Sequence, residues 1–155
     1  MGATGKFNPN EWRTLQFAPF WMLSSLAGVH RNFDPLEVEG FSRSLDNAAK
    51  ARGRLAREVI ASVSENRDWL LEEFERDRRT IAGGLCAVAD LVARTPIDEA
   101  RMFKEMLVGT LGRSIATARG PFGRAPSIED IQKLRIVAQL LADTPNPSTG
   151  HVGAA

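Results

Sequence analysis

One pattern occurs twice in this chain and constrains its fold more than any other feature. In residues 25–37 and again in residues 114–130, an apolar stretch ends in small residues, a polar loop follows, and a capping residue precedes an acid three positions later. In the first copy the cap is Asp34 and the acid is Glu37. Such a pair marks a helix start, because both side chains accept hydrogen bonds from backbone N–H groups of the first turn. The pattern therefore predicts two similar helix–loop–helix halves.

The spacing of apolar residues elsewhere in the chain is also helical. They recur at three- and four-residue intervals, and the broadest stripe indicates a central helix that begins at Pro96. On that helix, Ser114 and Ala118 are expected to continue the inward face of Phe103 and Leu107, with Ile115 widening it. We therefore predict an all-α fold, a compact bundle of about six to eight helices with two pseudo-repeated halves.

The ends of the chain are expected to lie outside this bundle. Residues 1–9 are predicted to be a flexible leader, residues 10–143 a single helical domain whose first helix is capped by Asn10, and residues 144–155 a disordered tail rich in Pro and Gly. No stretch approaches the roughly 20 apolar residues that cross a bilayer, and no signal-peptide core is present. We expect no transmembrane segment and a cytoplasmic location.

The charge of the chain is nearly balanced, with 20 basic and 19 acidic residues. Attraction to nucleic acid through overall charge is therefore not implied. Basic residues do form two local groups: Lys50, Arg52, Arg54 and Arg57, and Arg76, Arg78 and Arg79. Acids interleave with the second group, which favours a solvated helix surface. Nucleic-acid binding by a DNA-associated accessory protein is thus the weaker alternative.

The repeated pattern resembles the TerB-like domain of bacterial tellurite-resistance and stress proteins, over roughly residues 12–142. The resemblance implies a compact helical domain, related to an N-terminal-like module of some membrane co-chaperones and associated with stress response. In some members, acidic loop residues chelate metal ions. Their usual Asp-Gly pair precedes the acid in the loop, where this chain has His30 and Arg31; the second loop has Arg119 and Gly120. These departures remove the ligands that would make metal binding expected.

A divalent-metal site remains an alternative at the first copy of the pattern. His30, Asp34 and Glu37 are plausible nitrogen and oxygen ligands within one loop and turn. Calcium, however, takes about six to eight oxygen ligands, and only two carboxylates are close here. Capping of the helix accounts for Asp34 and Glu37 without a metal. We therefore predict no cofactor.

The residues that could support catalysis are few and scattered. His30 and His151 are the only histidines, and neither has a recognisable proton-transfer partner in the sequence. The single cysteine, Cys86, lies in an apolar run and is expected to pack as a small hydrophobic side chain. The sequence therefore predicts a protein that is not an enzyme.

Aromatic residues are dense in the first predicted helix and suggest a binding surface. Phe20 and Trp21 are neighbours, and adjacent helical positions diverge by about 100°. We therefore expect one of these rings to be exposed as part of a protein-binding or dimer patch. Together with the resemblance, this predicts a non-enzymatic bacterial stress-response-type domain that acts through protein–protein interaction. Its partner would be an unidentified protein or a second copy of the chain.

Overall fold

The computed structural model describes residues 6–28, 33–120 and 123–142, and the regular elements in these ranges are all helical. They are α1 (Pro9–Ala27), α2 (Pro35–Ala48), α3 (Arg54–Glu65), α4 (Arg67–Arg76), α5 (Ile81–Val92), α6 (Ile97–Lys104), a π-helical stretch (Glu105–Gly112, the π segment), α7 (Arg113–Arg119) and α8 (Ile128–Ala142). Because α6, the π segment and α7 follow one another without a break, the described residues form seven helices. The prediction of an all-α bundle is confirmed.

Helix α1 lies at the centre of the bundle and contacts α3, α4, α5, the π segment, α7 and α8. Its aromatic residues surround Phe74 of α4, whose ring centroid lies 5.4 Å from Phe17, 5.4 Å from Phe20 and 5.8 Å from Trp21. Aromatic side chains bury large areas and gain further from edge-to-face and offset contacts. This cluster therefore supplies much of the apolar core.

The expectation that Phe20 or Trp21 is exposed is wrong. Their side chains are 1% and 0% exposed, respectively. Phe74 covers α1 from one side, and α5 approaches Trp21 from another at a glycine, Gly84. Because α1 is enclosed by several helices, adjacent positions that diverge around the helix both meet protein. No protein-binding patch is formed by these two rings.

The helix ends around the first copy of the pattern agree with its capping chemistry. Helix α1 ends at Gly28, which adopts the left-handed conformation with φ of 72°, as expected of a helix-ending glycine. Helix α2 begins after Asp34, whose side chain accepts from the Glu37 backbone N–H at 2.8 Å, while the Glu37 carboxylate accepts from Asp34 at 3.1 Å. The predicted capping box is confirmed.

The start of the first helix differs from the expectation. The cap is Asn8 rather than Asn10, because Asn8 and Glu11 form a reciprocal capping box and Pro9 occupies the first turn. Phe7 is only 8% exposed and lies 6.5 Å from the Trp12 ring, so packing begins within the expected leader. The predictions for residues 1–5 and 143–155 lie outside the described residues.

The second copy of the pattern shares only part of this geometry. The Ser127 hydroxyl accepts from the Asp130 backbone N–H at 3.1 Å, as a cap should. Helix α7, however, ends at Gly120 with an extended backbone (φ −75°, ψ 173°), unlike the left-handed Gly28. The pseudo-repeat of two halves therefore stays a prediction.

The π segment changes which face of α7 is buried. Phe103, Leu107 and Leu111 are fully buried, as the stripe predicts. In a π-helix the backbone N–H of residue i+5 donates to the carbonyl of residue i, which widens the turn. Each residue therefore advances around the helix axis by a smaller angle than in an α-helix. The buried stripe consequently continues to Ile115 and not to Ser114, and Ala118 is exposed. The helix predicted to begin at Pro96 is present from Ile97 to Arg119, although α1 lies at the centre of the bundle. Of its predicted inward face after the π segment, Ile115 is buried, whereas Ser114 is half-buried and Ala118 is exposed.

Within residues 6–28, 33–120 and 123–142, none of the helices combines the length and the apolarity needed to cross a bilayer.

Candidate functional site

Two depressions flank the π segment, and they differ in chemistry. The first, here called the polar cleft, lies between α2 on one side and the π segment and α7 on the other, with a volume of about 720 Å³. Its lining residues are mostly small or hydrogen-bonding: Gly40, Arg43, Ser44, Asn47, Gly109, Thr110, Arg113, Ser114, Thr117, Ala118 and Gly123. Ligand pockets of proteins commonly have volumes of about 300–1,000 Å³. The cleft is therefore large enough for a small organic ligand.

Two glycines inside helices form open parts of the polar cleft. Gly40 lies within α2 and Gly109 within the π segment, and a Cβ added to either would meet no described atom within 4 Å. Glycine inside a helix costs about 0.5–1 kcal/mol relative to alanine. Neither glycine is required by packing or by a positive φ. Their effect is to keep the backbone bare at the walls of the cleft.

A chain of hydrogen bonds forms the floor of the polar cleft and joins α2 to α7. The Asn47 side-chain amide donates to the Ser114 hydroxyl at 2.9 Å, which donates to the Ser44 hydroxyl at 3.0 Å. The hydroxyls of Thr110 and Thr117 have no partner among the described residues and remain able to bond to a ligand. The floor thus fixes the cleft, while its walls keep polar groups available.

The charge of the polar cleft is positive. Arg113 has no ion-pair partner within residues 6–28, 33–120 and 123–142, and Arg43 has only an exposed contact of 4.0 Å with Glu39. None of the described lining residues is an Asp or a Glu. Nearby Arg119, in contrast, pairs with Glu37 at 3.7 Å and with a second acid of α8. The cleft therefore holds two arginines whose charge is not balanced by carboxylates in its lining.

The second depression, here called the apolar groove, runs between α6, the π segment and α8 and has a volume of about 560 Å³. Its lining is mainly apolar, with charged side chains at the rim: Ile97, Ala100, Arg101, Lys104, Glu105, Val108, Gly109, Ala138 and Leu141. Ile97 is 80% exposed at one end. A single exposed isoleucine is ordinary on a protein surface, so the feature that calls for an explanation is the apolar groove beside it.

The predicted metal ligands are used for folding where the structure describes them. Asp34 and Glu37 cap α2, and the Arg119 guanidinium lies between Glu37, at 3.7 Å, and the buried Asp130, at 3.3 Å. Lys133 contacts Asp130 at 3.8 Å. Among the described residues no group of three or more His, Cys, Asp or Glu side chains could hold a metal ion. His30 lies outside the described residues.

The two basic groups of the sequence lie on different parts of the bundle. Arg54 starts α3 and contacts Glu58 at 3.5 Å, whereas Arg76 contacts Glu73 at 3.4 Å. Arg79 is part of the packing, since it pairs with Asp77 at 2.9 Å and its guanidinium lies 4.9 Å from the centroid of the Trp21 ring. The second group is therefore largely engaged within the protein.

Sequence reasoning missed both depressions, and it misjudged Cys86, which is exposed rather than packed. The signal available for the polar cleft was the pair Gly40 and Gly109, since a glycine inside a helical pattern is tolerated but costs stability relative to alanine. No sequence signal places Ser114 and Thr117 in the cleft, because their positions depend on the π segment.

Comparisons with protein-family models, with curated proteins and with solved structures gave no match for this chain. Its function is therefore inferred from the cleft and the groove.

Proposed function

We propose that this chain is a non-enzymatic binding domain that acts through protein–protein interaction, with the apolar groove as its contact surface. The observation that carries the proposal is the groove itself: an apolar channel between α6 and α8 that ends at a side chain, Ile97, which is 80% exposed. Each Å² of apolar surface that Ile97 exposes to water costs about 25 cal/mol of free energy, and a partner that covers this surface recovers that free energy in the complex.

The shape of the apolar groove favours an amphipathic helix of a partner protein as the occupant. Its walls are two helices, and Ala100 and Val108 lie along one wall while Ala138 and Leu141 lie along the other. Small residues on both walls leave room for large apolar side chains of a third helix. Helix-in-groove recognition uses such side chains at positions i, i+3 or i+4, and i+7.

The charged residues at the rim of the apolar groove favour some amphipathic helices over others. Arg101 is paired with Asp98 at 2.8 Å, whereas the Lys104 ammonium has no ion-pair partner in the described part of the chain. An acidic residue beside the apolar stripe of the partner would pair with Lys104. Such rim pairs add orientation and association rate more than affinity. The proposed occupant is thus an amphipathic helix with acids beside its apolar side, placed to meet Lys104 and to avoid Glu105 of the same rim.

The polar groups of the two depressions support binding rather than catalysis. Their described lining residues include no histidine or cysteine, and the one carboxylate, Glu105, lies at the rim of the apolar groove. General acid–base catalysis needs a positioned group whose pKa lies near the working pH. The proposal is therefore a binding function.

The biological setting of the proposal rests on the resemblance to TerB-like domains. We infer a bacterial stress response in the cytoplasm as the setting, with the contribution of the domain being recognition of a partner. The interaction is open to direct test without knowledge of the stress signal.

Photo-crosslinking in the host cell tests the proposal. A photoreactive amino acid replaces Ala100, inside the apolar groove, and a matched control replaces Gln132, which is exposed on α8 outside the groove. We expect one partner protein to be linked from position 100 and not from position 132. The linked peptide should be an amphipathic helical segment with acids beside its apolar residues. Ile97→Lys should abolish the crosslink, and Ile136→Lys, at another exposed isoleucine, should not.

Two results would contradict the proposal. Crosslinks from position 100 that do not exceed those from position 132 would show that the groove is not a contact surface. A crosslink from position 100 to a second copy of this chain would assign the groove to self-association instead. Native mass measurement of the purified protein distinguishes that case from a partner of different sequence.

The metal-binding and DNA-binding alternatives stay predictions. Titration calorimetry with calcium, magnesium and zinc tests the first, with Glu37→Ala as the variant. A mobility-shift assay with duplex DNA at low salt tests the second, because binding through Lys50, Arg52, Arg54 and Arg57 would fall steeply as salt rises.

A further inference from the structure

We propose that the polar cleft between α2 and the π segment–α7 stretch is a binding site for a small, multiply charged oxyanion, a phosphate- or carboxylate-bearing metabolite. Gly109 of the π segment lies in the lining of both depressions, but the other lining residues of the polar cleft are not shared with the apolar groove, and this proposal does not depend on the function proposed for the groove. The inference rests on three observations that concern different properties of the cleft: its open space, its charge and its hydrogen-bonding groups.

The open space of the polar cleft is maintained at a cost to helix stability. Gly40 and Gly109 face the cleft from opposite walls, and neither would make a close contact through an added Cβ. Alanine at either position would favour the helix by about 0.5–1 kcal/mol. A ligand that approaches the bare backbone explains why side chains are missing from both walls.

The charge of the cleft selects an anion. Arg43 belongs to α2 and Arg113 begins α7, so the two arginines line the cleft from opposite walls. The planar guanidinium offers paired N–H donors that match the oxygens of a carboxylate or a phosphate. The described lining residues supply no competing carboxylate. One small ligand with two or more negative charges could be held between the two arginines.

The uncharged polar groups of the cleft complete the recognition. Thr110 and Thr117 can donate hydrogen bonds, and the Asn47 amide oxygen can accept one from a ligand hydroxyl. No aromatic side chain is among the described lining residues, so these residues offer no platform on which a nucleic-acid base could stack. The volume of about 720 Å³ also suits a small organic molecule. The cleft therefore fits a polar metabolite better than a nucleic-acid strand.

Titration calorimetry on the full chain with inorganic pyrophosphate and with citrate tests the proposal. We expect at least one of these anions to bind with a dissociation constant of about 1 mM or below. The Arg113→Gln variant should weaken that binding about tenfold, because a charge-assisted hydrogen bond is lost. The matched control, Arg135→Gln, removes an exposed arginine of α8 outside the cleft and should leave binding unchanged. Tighter binding of pyrophosphate assigns phosphate, and tighter binding of citrate assigns carboxylate.

A second variant separates loss of the site from loss of the fold. Gly40→Leu places a side chain in the open space of the polar cleft, and we expect the same helical circular dichroism and weaker anion binding. Absence of heat with both anions would overturn the proposal, and so would equal weakening by Arg113→Gln and Arg135→Gln. Binding of duplex DNA that Arg113→Gln abolishes, with no binding of either small anion, would assign the arginines to nucleic acid and also overturn it.

Discussion

The contact between α1 and α5 and the cleft between α2 and the π segment both contain glycines inside helices, but for opposite reasons. At the contact, a Cβ on Gly84 would lie 2.1 Å from Cε2 of Trp21, so only glycine lets the two helices approach this closely. At the cleft, Gly40 and Gly109 would meet no described atom within 4 Å. Gly84 thus allows two helices to pack closely, whereas Gly40 and Gly109 leave open space beside their helices.

The comparison shows how a helical glycine can indicate a function. Both sets carry the same cost in backbone entropy. At Gly84 that cost is offset by the packing of Trp21, which is fully buried. At Gly40 the described structure provides no such compensation, so the benefit is expected from something that binds. Substitutions at these glycines should therefore change stability in opposite directions.

The largest effect is expected for Gly84→Ala. Overpacking against the Trp21 ring should lower the free energy of unfolding by about 3 kcal/mol. For a chain of this length, that corresponds to a fall in Tm of about 6–12 °C, measurable by thermal denaturation. The Trp21→Phe variant provides the control, since a smaller ring makes room for the added methyl. If the double variant lost as much stability as the sum of the two single variants, the close contact would not be the cause.

The next effect contrasts two glycines in the π segment, three residues apart. A Cβ on Gly112 would lie 2.7 Å from Leu134 Cδ2 and 2.9 Å from Met22 Sδ, both near the ends of flexible side chains. Gly112→Ala should therefore lower stability by about 1–2 kcal/mol. Gly109→Ala, with open space, should leave stability unchanged or raise it. Urea denaturation measures both, and an equal loss in the two variants would contradict the distinction.

A smaller effect of opposite sign is expected for Gly40→Ala. Alanine restricts the unfolded chain and favours the helix, so the free energy of unfolding should rise by about 0.5–1 kcal/mol. Chemical denaturation of this variant beside the natural chain provides the measurement. A loss of stability in Gly40→Ala would mean that Gly40 is needed for packing, as Gly84 is, and the contrast between the two glycines would be wrong.

The smallest expected effect is a pH-dependent change in stability that involves Glu11, near the start of α1. The pKa of Glu11 is lowered because the Asn8 backbone N–H donates to its carboxylate and the Arg94 guanidinium pairs with it at 2.6 Å. A pKa that is lower in the folded chain gives stability that is present above the unfolded value and is lost as pH falls through the folded value.

Glu11→Gln keeps the capping geometry but removes this charge. The natural chain should be slightly more stable than the variant near neutral pH, and the difference should disappear as the pH is lowered through the acidic range. Urea midpoints at several pH values provide the measurement. A difference that does not change with pH would assign the effect to the capping hydrogen bond alone.

Sequence reasoning succeeded where the determining interactions are local. The capping box of Asp34 and Glu37 follows from side-chain chemistry within one turn, and it agrees with the structure. Sequence reasoning failed where the environment of a residue depends on distant helices. Phe20 and Trp21 are both buried because α4 and α5 enclose α1, and this enclosure cannot be read from a helical period.

The polar cleft was missed for a related reason. Extrapolation of the α-helical period beyond Leu111 places Ser114, Ile115 and Ala118 on the inward face, whereas in the structure only Ile115 of these three is buried. Ser114 is thereby brought to the hydrogen-bonded floor of the cleft, opposite Ser44. Composition and spacing carry little information about such a change of helical geometry. The unbalanced charge of Arg113 likewise depends on which acids lie near it in space.

The π segment also determines how the helix formed by α6, the π segment and α7 can accommodate a change in its length. If one residue were deleted between Glu105 and Gly112, the wider turns could tighten to ordinary α-helical geometry, and α7 would keep its buried face. An insertion into α2, which is α-helical throughout, has no such outlet and would turn every later residue by about 100°. Natural relatives that differ in length should therefore carry the change inside the π segment, where a gap in an alignment would mark a change in the wall of the cleft.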